Sequence, residues 1–343
     1  MFSCWLLPCL LFIWSAIFSR NGQAQAKKIS SHPLLLVVNQ GNYTMRVIDP
    51  ATGRTVGTVP TGSAQGHGHE VAASPDGRTA YVPIYGNAGV GKPGTNGKQI
   101  LVIDIGASKV LGTIDFPRGV RPHLPVFDAR RGVLYVTTEL NDSISVIDPY
   151  RRKIVGSVPT GQAQSHMFVL AHDGKRGYTA NVGPGTVSVL DMEHRKTLTV
   201  IPVSREIQRI SISPDDSMVF TSDQTKPHLA VIDTATDKVK AWVPMDSTGY
   251  GTAPTRDGHW LLVALPKTNS VAVVDLHSLK VARTMKVCGR PQEILVQPGS
   301  ATIAYVSCAS TNNVGVLNLS NWTMQKTIEA GKFPDGLAWA AAR

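Results

Sequence analysis

Residues 165–204 read SHMFVLAHDGKRGYTANVGPGTVSVLDMEHRKTLTVIPVS. The stretch contains four short runs rich in β-branched and aromatic residues, and each run stops at Gly, Pro, Asn or Asp. Runs of this kind, bounded by turn-forming residues, are typical of β-strands joined by tight turns. The stretch therefore predicts a small sheet of four strands.

The third of these strands ends in Asp191, and the same ending recurs along the chain. An apolar run that closes in Asp, or in Asn as its stand-in, is found at Asp49, Asp104, Asp148, Asp191, Asp233, Asp275 and Asn318. The first interval is 55 residues and the others are 42 to 44 residues. A period in the forties with four strands is typical of a propeller blade. We therefore predict an all-β, seven-bladed β-propeller with four antiparallel strands per blade, called A to D from the central channel outward.

The recurrent Asp is interpreted as structural. Each one opens a tight turn, as in Asp49-Pro50-Ala51-Thr52-Gly53. A carboxylate in this place accepts hydrogen bonds from backbone N–H groups two residues further on. These seven positions are therefore expected to shape turns and to carry no chemistry.

The two ends of the chain complement each other. The first unit begins at residue 34 with three strands and has no inner strand before them, whereas residues 333–340, FPDGLAWA, are an inner strand with nothing after it. Joined together, they complete a first blade that is closed by the C-terminal strand. Closure removes the open sheet edges that invite aggregation.

Three segments resemble a known family. They are PDGRTAYVPI at 75–84, KRGYTANVGPGTVSVLD at 175–191 and IAYVSCASTNNVGVLNL at 303–319, and they look like the YVTN-type (YncE-like) seven-bladed propeller repeat. That family includes periplasmic and surface-layer proteins and is similar to propeller lactonases and to the propeller subunits of amine dehydrogenases. The resemblance implies the fold, and it leaves the chemistry open because one scaffold hosts many functions.

The N-terminal segment predicts export. Residues Phe2–Phe18 are almost entirely apolar, and Ala24-Gln25-Ala26 offers a small-residue cleavage site. We predict a signal peptide at 1–26, a single propeller domain at 27–343, and a periplasmic or extracellular location with no stable membrane span after cleavage. An uncleaved anchor is the alternative, although the apolar segment is at the short limit for a spanning helix.

Cleavage of the predicted signal peptide removes Cys4 and Cys9, so the mature chain contains two cysteines, Cys288 and Cys308. Cys288 ends strand D of the sixth blade and Cys308 ends strand B of the seventh, and in a propeller both ends point to the same face. A disulfide is therefore a candidate in an oxidising compartment, with two free buried thiols as the alternative. The spacing excludes covalent haem and does not match a cysteine metal site.

The chain is basic, with 34 Lys and Arg against 24 Asp and Glu and a net charge of +10. Sorted by turn, however, charges of both signs mix on both faces of the predicted ring. The single-sign footprint of a nucleic-acid site is absent, so nucleic acid is not an expected partner. The expected partners are a small-molecule or protein ligand, and the expected state is a monomer.

Chemistry is expected where the inner strands begin. Stepping back six residues from the turn that follows each inner strand finds one polar layer, composed of His69, His123, His166, Gln208, Tyr250, Gln292 and Asp335. Three neutral imidazoles from separate strands suit one divalent transition metal, Zn, Mn, Fe or Cu, with an open position. The other interpretation is that these side chains hydrogen-bond to neighbouring inner strands and line the channel.

Further candidates surround that layer. His67, Glu70 and Tyr250 are candidate catalytic residues if a reaction takes place there. Gln208, Gln292 and Asp335 are candidate ligand-binding residues.

Arg121 and Arg290 each precede a proline two residues before the layer. They are placed to bind a carboxylate or a sugar acid, or they are ordinary loop arginines.

One loop departs from the repeat. The surplus of the first interval falls at residues 85–98, which contain five glycines. Such a loop suits either a flexible lid over the channel mouth or a tolerated surface insertion. It lacks the spacing of a phosphate-binding loop.

The sequence therefore predicts a secreted propeller that binds a ligand or a protein through a histidine-lined channel mouth. The alternative is a metal-dependent lyase or hydrolase, similar to a lactonase, acting on a sugar acid or a similar polar small molecule. No nucleophile motif is present, so a hydrolase here would depend on metal-activated water.

Overall fold

The computed structural model describes residues 1–2 and 31–342 and confirms the seven-bladed β-propeller. Seven antiparallel sheets stand in a ring around a central channel, with strand A innermost and strand D at the rim. The only helices among the described residues are two 3-10 turns, Gln40–Asn42 and Glu139–Asn141.

The first two blades differ from the rest. In the first, β1 (Leu34–Asn39), β2 (Thr44–Asp49) and β3 (Arg54–Pro60) supply strands B, C and D. In the second blade, the inner strand is broken into short pieces. The strands of the second blade are β4 (Gly62–Ser63), β5 (Gly66–Gly68), β6 (Ala72–Ala73), β7 (Thr79–Gly86), β8 (Asn96–Asp104) and β9 (Lys109–Asp115).

The remaining blades repeat one pattern in chain order. Their strands are β10 (Pro122–Asp128), β11 (Val133–Thr138), β12 (Ser143–Asp148), β13 (Lys153–Pro159), β14 (Ser165–Leu170), β15 (Arg176–Asn181), β16 (Thr186–Asp191), β17 (Lys196–Pro202), β18 (Ile207–Ile212), β19 (Met218–Asp223), β20 (His228–Asp233), β21 (Lys238–Pro244), β22 (Thr252–Pro254), β23 (Trp260–Leu265), β24 (Ser270–Asp275), β25 (Lys280–Lys286), β26 (Pro291–Val296), β27 (Ile303–Cys308), β28 (Asn313–Asn318) and β29 (Thr323–Glu329). The last strand, β30 (Pro334–Ala340), belongs to the first blade.

The ring closes as predicted. Strand β30 pairs antiparallel with β1, with Leu35 opposite Trp339 and Val37 opposite Leu337. The side chains of β1 alternate between two cores. Leu36 and Val38 pack in the core shared with the second blade, and Leu35 and Val37 pack in the core shared with the seventh. Each blade is thus apolar on both faces, and the core of the molecule lies between blades.

Every recurrent Asp or Asn is the last residue of a strand C, and each accepts backbone N–H groups in the turn that follows. Asp148, for example, accepts from the N–H groups of Tyr150 at 3.0 Å and Arg151 at 2.8 Å. Asn318 does the same with Ser320 at 2.8 Å. The structural interpretation of these positions is confirmed.

Cys288 and Cys308 form a disulfide, as one of the two interpretations predicted. Their Cα atoms are 5.6 Å apart, an ordinary separation for the bond. Cys288 follows β25 and Cys308 ends β27, so the disulfide joins the sixth and seventh blades on one face.

The predicted signal peptide and its cleavage site lie outside the described residues, apart from Met1 and Phe2. Within residues 1–2 and 31–342, no helix has both the length and the apolar character needed to cross a bilayer.

Removing the closing strand tests the ring. Truncation after Gly331 deletes β30, which buries Leu337 and Ala340 against neighbouring strands. We expect the free energy of unfolding to fall by several kcal/mol, because several buried apolar side chains and a full ladder of hydrogen bonds are lost together. Truncation after Ala340 retains the strand and is the control. Equal urea midpoints for the two truncated chains would contradict closure by β30.

Candidate functional site: the central cavity

The inner strands are irregular at the predicted polar layer. In five blades the register between strand A and strand B shifts at this position, next to His123, His166, Gln208, Gln292 and Asp335. In the sixth blade Tyr250 precedes β22, and in the second His69 lies in the gap between β5 and β6. A bulge redirects the side chain it carries. The layer therefore departs from the regular ladder in every blade.

Side chains of strand B fill the gaps that the bulges leave. The hydroxyl of Thr137 accepts the N–H of Leu124 at 2.8 Å and donates to the carbonyl of His166 on the next blade at 2.9 Å. Ser307 accepts the N–H of Glu293 at 3.0 Å. Thr221 donates to the carbonyl of Arg209 at 2.8 Å. These bonds hold the bulged backbone in place without the regular ladder.

All seven layer residues line one cavity of about 270 Å³ on the channel axis. The same cavity is lined by Gln40, Tyr85, Gly89, Val90, Arg209, Arg290 and Phe333. The structure thus brings together every residue that the six-residue spacing singled out. Arg209 directly follows the layer residue Gln208 in the chain, whereas Gln40, Tyr85 and Phe333 had no sequence signal.

The histidines pack against one another and against Tyr85. The rings of His123 and His166 stack with centroids 3.6 Å apart. His69 meets His123 edge-on at 5.5 Å and stacks on His67 at 5.1 Å. Tyr85 contacts His69, His123 and His166 at 5.0 to 5.6 Å. The three blades therefore present an aromatic wall with polar edges.

Burial keeps this wall uncharged. Desolvation, together with repulsion from His67 and Arg209, lowers the pKa of His69 to about 3. Burial also lowers the pKa of His123 and of His166 well below 6.5, and the neighbouring imidazoles and Arg209 add to the effect. All three side chains are neutral at pH 7 and can both donate and accept hydrogen bonds.

Opposite this wall lies a charged cluster centred on the buried Arg209. Its Nη1 is 2.7 Å from Glu70 and 3.5 Å from Glu293, and its Nη2 donates to Asp335 at 2.8 Å. The guanidinium lies 5.2 Å from the ring centroid of Tyr250. One cation is thus surrounded by three carboxyl groups from three blades.

The environment of the cluster raises the pKa of all three carboxyl groups. Burial raises the pKa of Glu70 well above its ordinary value, and a hydrogen bond to Glu293 raises it further. Burial also raises the pKa of Glu293 and of Asp335, although Arg209 opposes both shifts. Three ionised carboxyl groups around a single arginine would repel one another, and this repulsion also favours the protonated forms. Desolvation raises the pKa of Tyr250 to about 12, so its phenol is neutral as well.

The Gly-rich loop, residues 87–95 between β7 and β8, reaches the cavity through Gly89 and Val90. A buried carboxylate that the sequence did not reveal, Glu139, anchors it by accepting the N–H of Gly91 at 3.1 Å and the hydroxyl of Tyr85. Arg121 completes the anchor. Its guanidinium donates to Glu139 at 3.3 Å, to Asn96 at 2.7 Å and to the carbonyl of Lys92 at 2.7 Å.

The predicted ligand-binding and catalytic residues therefore divide into three groups. Gln208, Tyr250, Arg290, Gln292 and Asp335 line the cavity. Glu70 is buried behind it in the Arg209 cluster, and His67 stacks on His69 without lining it. Arg121 lies outside the lining and holds the loop.

The three layer histidines do not converge as metal ligands do. Two of the rings face each other in a stack, and within residues 1–2 and 31–342 no group of three or more His, Cys, Asp or Glu side chains is arranged to hold a metal ion. The transition-metal site stays a prediction.

Fifteen non-glycine residues among those described have left-handed backbone conformations, and eleven of them lie in turns and bends away from the layer. Four residues that precede layer positions by two have left-handed backbone conformations, namely Arg121 (φ 50°), Gln164 (φ 55°), Arg290 (φ 54°) and Phe333 (φ 53°). Each such conformation in a non-glycine residue costs about 1 kcal/mol or more and persists only where surrounding contacts enforce it.

The fold and the cavity define the chain as a seven-bladed β-propeller with a polar central site. No protein-family model matches the chain, and no curated protein matches it either. Hydrazine synthase from Kuenenia stuttgartiensis is similar in structure, with a TM-score of 0.69 and 19% identity over 83% of this chain and 92% of that one. A functionally unknown protein from Desulfotomaculum acetoxidans DSM 771 has a TM-score of 0.73 and 11% identity over 90% of this chain and 99% of that one. At these identities the likeness shows the fold alone.

The neutral histidines predict an acid-sensitive fold. Below pH 6.5 the unfolded chain binds protons at His123 and His166 that the folded chain does not, so these residues make stability fall as the pH falls. The raised pKa values of Glu70, Glu293 and Asp335 act in the opposite direction, so the histidine contribution is isolated by comparing variants. His123→Gln with His166→Gln should reduce the loss of unfolding free energy between pH 7.5 and 5.5 by about 1 to 1.5 kcal/mol per pH unit.

The measurement is urea unfolding at several pH values. His259→Gln, at an exposed turn, is the matched control and should keep the wild-type slope. Identical slopes for the double variant and the wild type would show that the two buried imidazoles do not resist protonation.

Proposed function

We propose that this chain is a secreted, YVTN-type propeller that binds a small polar molecule in its central cavity. The observation that carries the proposal is a set of buried polar atoms, on residues that line the cavity, for which the described residues supply no hydrogen-bond partner. They are Nδ1 of His123, Nδ1 of His166 and Oε1 of Gln208, whereas Nη1 of Arg209, which also lacks a hydrogen bond, is ion-paired with Glu70 at 2.7 Å. Buried polar atoms are almost always paired, so a ligand or ordered water is expected to pair with these three.

The size and lining of the cavity favour a small ligand over a protein. About 270 Å³ is near the lower end of small-molecule sites, which span roughly 300–1,000 Å³. Amides, imidazoles, two phenols, two guanidinium groups and one carboxylate surround it, and this mixture of donors and acceptors suits a molecule with several hydroxyl or amide groups. Gly89 and Val90 of the loop occupy part of its wall, which narrows the entrance further.

Two features support secretion. The chain starts with an apolar segment followed by a small-residue cleavage motif. The Cys288–Cys308 disulfide suits an oxidising compartment such as the periplasm or the cell exterior. The YVTN-type assignment is supported by the three segments that resemble that repeat.

A ligand panel tests the proposal. The signal-free protein is screened by thermal shift against monosaccharides, polyols, uronic and aldonic acids, amino acids and nucleosides, and hits are measured by calorimetry. Gln208→Leu and Gln292→Leu should each weaken binding roughly 10- to 100-fold, because a buried polar group of the ligand loses its partner. Gln325→Leu, exposed on β29, is the control and should bind as the wild type does. The proposal fails if no member binds, or if hits bind both cavity variants with wild-type affinity.

The loop gives a second test of the same cavity. Replacing residues 87–95 by Asn-Gly removes the Gly91 bond to Glu139 and the Lys92 bond to Arg121, so the unfolding free energy should fall by about 1 to 3 kcal/mol while the propeller still folds. Affinity for any hit of the panel should fall, because the wall formed by Gly89 and Val90 no longer shields the ligand from water.

Lys92→Ala is the control for this replacement, since only the backbone carbonyl of Lys92 bonds to Arg121. It should retain wild-type affinity. Unchanged affinity in the loop replacement would leave the segment as a surface insertion.

A further inference from the structure

A second cavity, of about 390 Å³, adjoins the central one between the fifth, sixth and seventh blades. The two share Tyr250, Arg290 and Gln292 in their linings. The rest of the outer cavity is formed by Gln224, Thr248, Gly249, Pro266 and Lys267. The two cavities are therefore adjacent, and the three shared side chains face both.

The two compartments differ in charge. The central one is lined by Arg209, Arg290 and Asp335, and Glu70 and Glu293 lie behind Arg209, so three carboxyl groups stand against two guanidinium groups there. The outer one is lined by two cations, Lys267 and Arg290, and its lining contains no Asp or Glu. An anionic group would be repelled by Asp335 in the central compartment and attracted in the outer one.

The backbone of Arg290 is fixed, and its guanidinium is accessible to an anionic group. Its left-handed backbone (φ 54°) is fixed by a hydrogen bond from its N–H to Asn269 at 2.8 Å. Its guanidinium lies 5.1 Å from the ring centroid of Phe333 while the side chain stays exposed. A guanidinium stacked on a ring keeps its N–H edge available to bind a carboxylate or a phosphate in bidentate fashion.

We propose that the ligand carries an anionic group, a carboxylate or a phosphate, which Arg290 and Lys267 bind in the outer cavity while the uncharged part of the molecule occupies the central one. This inference rests on the proposed binding function and adds the charge of the ligand and the place where that charge lies. Arg290 links the compartments because it lines both.

Matched ligands test the inference. The probes are galactose with galacturonate, and glucose with gluconate and glucose 6-phosphate, so that each neutral sugar is compared with a carboxylate or a phosphate. Inorganic phosphate alone is included as a minimal anion. We expect the wild type to bind at least one acid at least 10-fold more tightly than its neutral partner, and the affinity for that acid to fall as salt is added.

Substitutions in the outer cavity test whether the preference for the acid arises there. Arg290→Gln, which changes both cavities, should weaken binding of the acid about 10-fold more than binding of the neutral partner. Lys267→Gln, which changes the outer cavity alone, should weaken binding of the acid about 10-fold or more and leave the affinity of the neutral partner unchanged. Lys280→Gln, an exposed residue at the far end of the same blade, makes the same change in charge and should have no effect. A stronger loss for the carboxylate or for the phosphate identifies which anion the site prefers.

Three outcomes separate the two proposals. Equal binding of acids and neutral sugars, or acid binding that survives both substitutions, overturns the anionic subsite and leaves the proposed function standing. If no sugar or acid binds but inorganic phosphate stabilises the wild type and not Arg290→Gln, the subsite stands and the proposed function fails. If none of the probes binds, both fail.

Discussion

The pairing of β1 with β30 is the constraint on which the rest of the structure depends. Each blade is apolar on both faces, so no blade can be buried until it has a neighbour on each side. Seven blades satisfy this condition only as a closed ring. Strand β30 contributes the missing inner strand, and Gly336 lets it approach the second blade closely, since a Cβ there would lie 2.5 Å from the carbonyl oxygen of His69.

Closure also forces the inner strands into contact at their polar ends. Seven strands that meet around one axis leave little room, and the backbone responds with bulges next to the layer residues. A charged side chain at this depth must find a partner from another blade, as Arg209 does with Glu70, Glu293 and Asp335. The central cavity and its charges are therefore products of the ring and belong to no single repeat.

The sequence predicted what is local and periodic. The spacing of Asp49 and its six counterparts set the blades, and counting back from each turn found the layer, because both depend on a repeat of fixed length. Contacts between distant segments left no such signal. Glu139 and Tyr85 are 54 residues apart and Arg209 and Asp335 are 126 apart, so neither pair could be predicted from one chain. For Arg121 the sequence left two interpretations open, a ligand-binding residue or a loop arginine, because its partners in the loop were not visible.

The shared first blade also sets the order in which the molecule can be completed. Leu35 pairs with Trp339, so this pair cannot form until Trp339 has been synthesised. At about 5–20 residues per second, that takes roughly 15 to 60 seconds after the synthesis of Leu35. Throughout that interval β1 has one unpaired edge, while the later blades can already pair and pack. An open edge is a template for strands of other chains. The nascent protein thus passes through a period of vulnerability whose length is determined by the distance in sequence between its two closing strands.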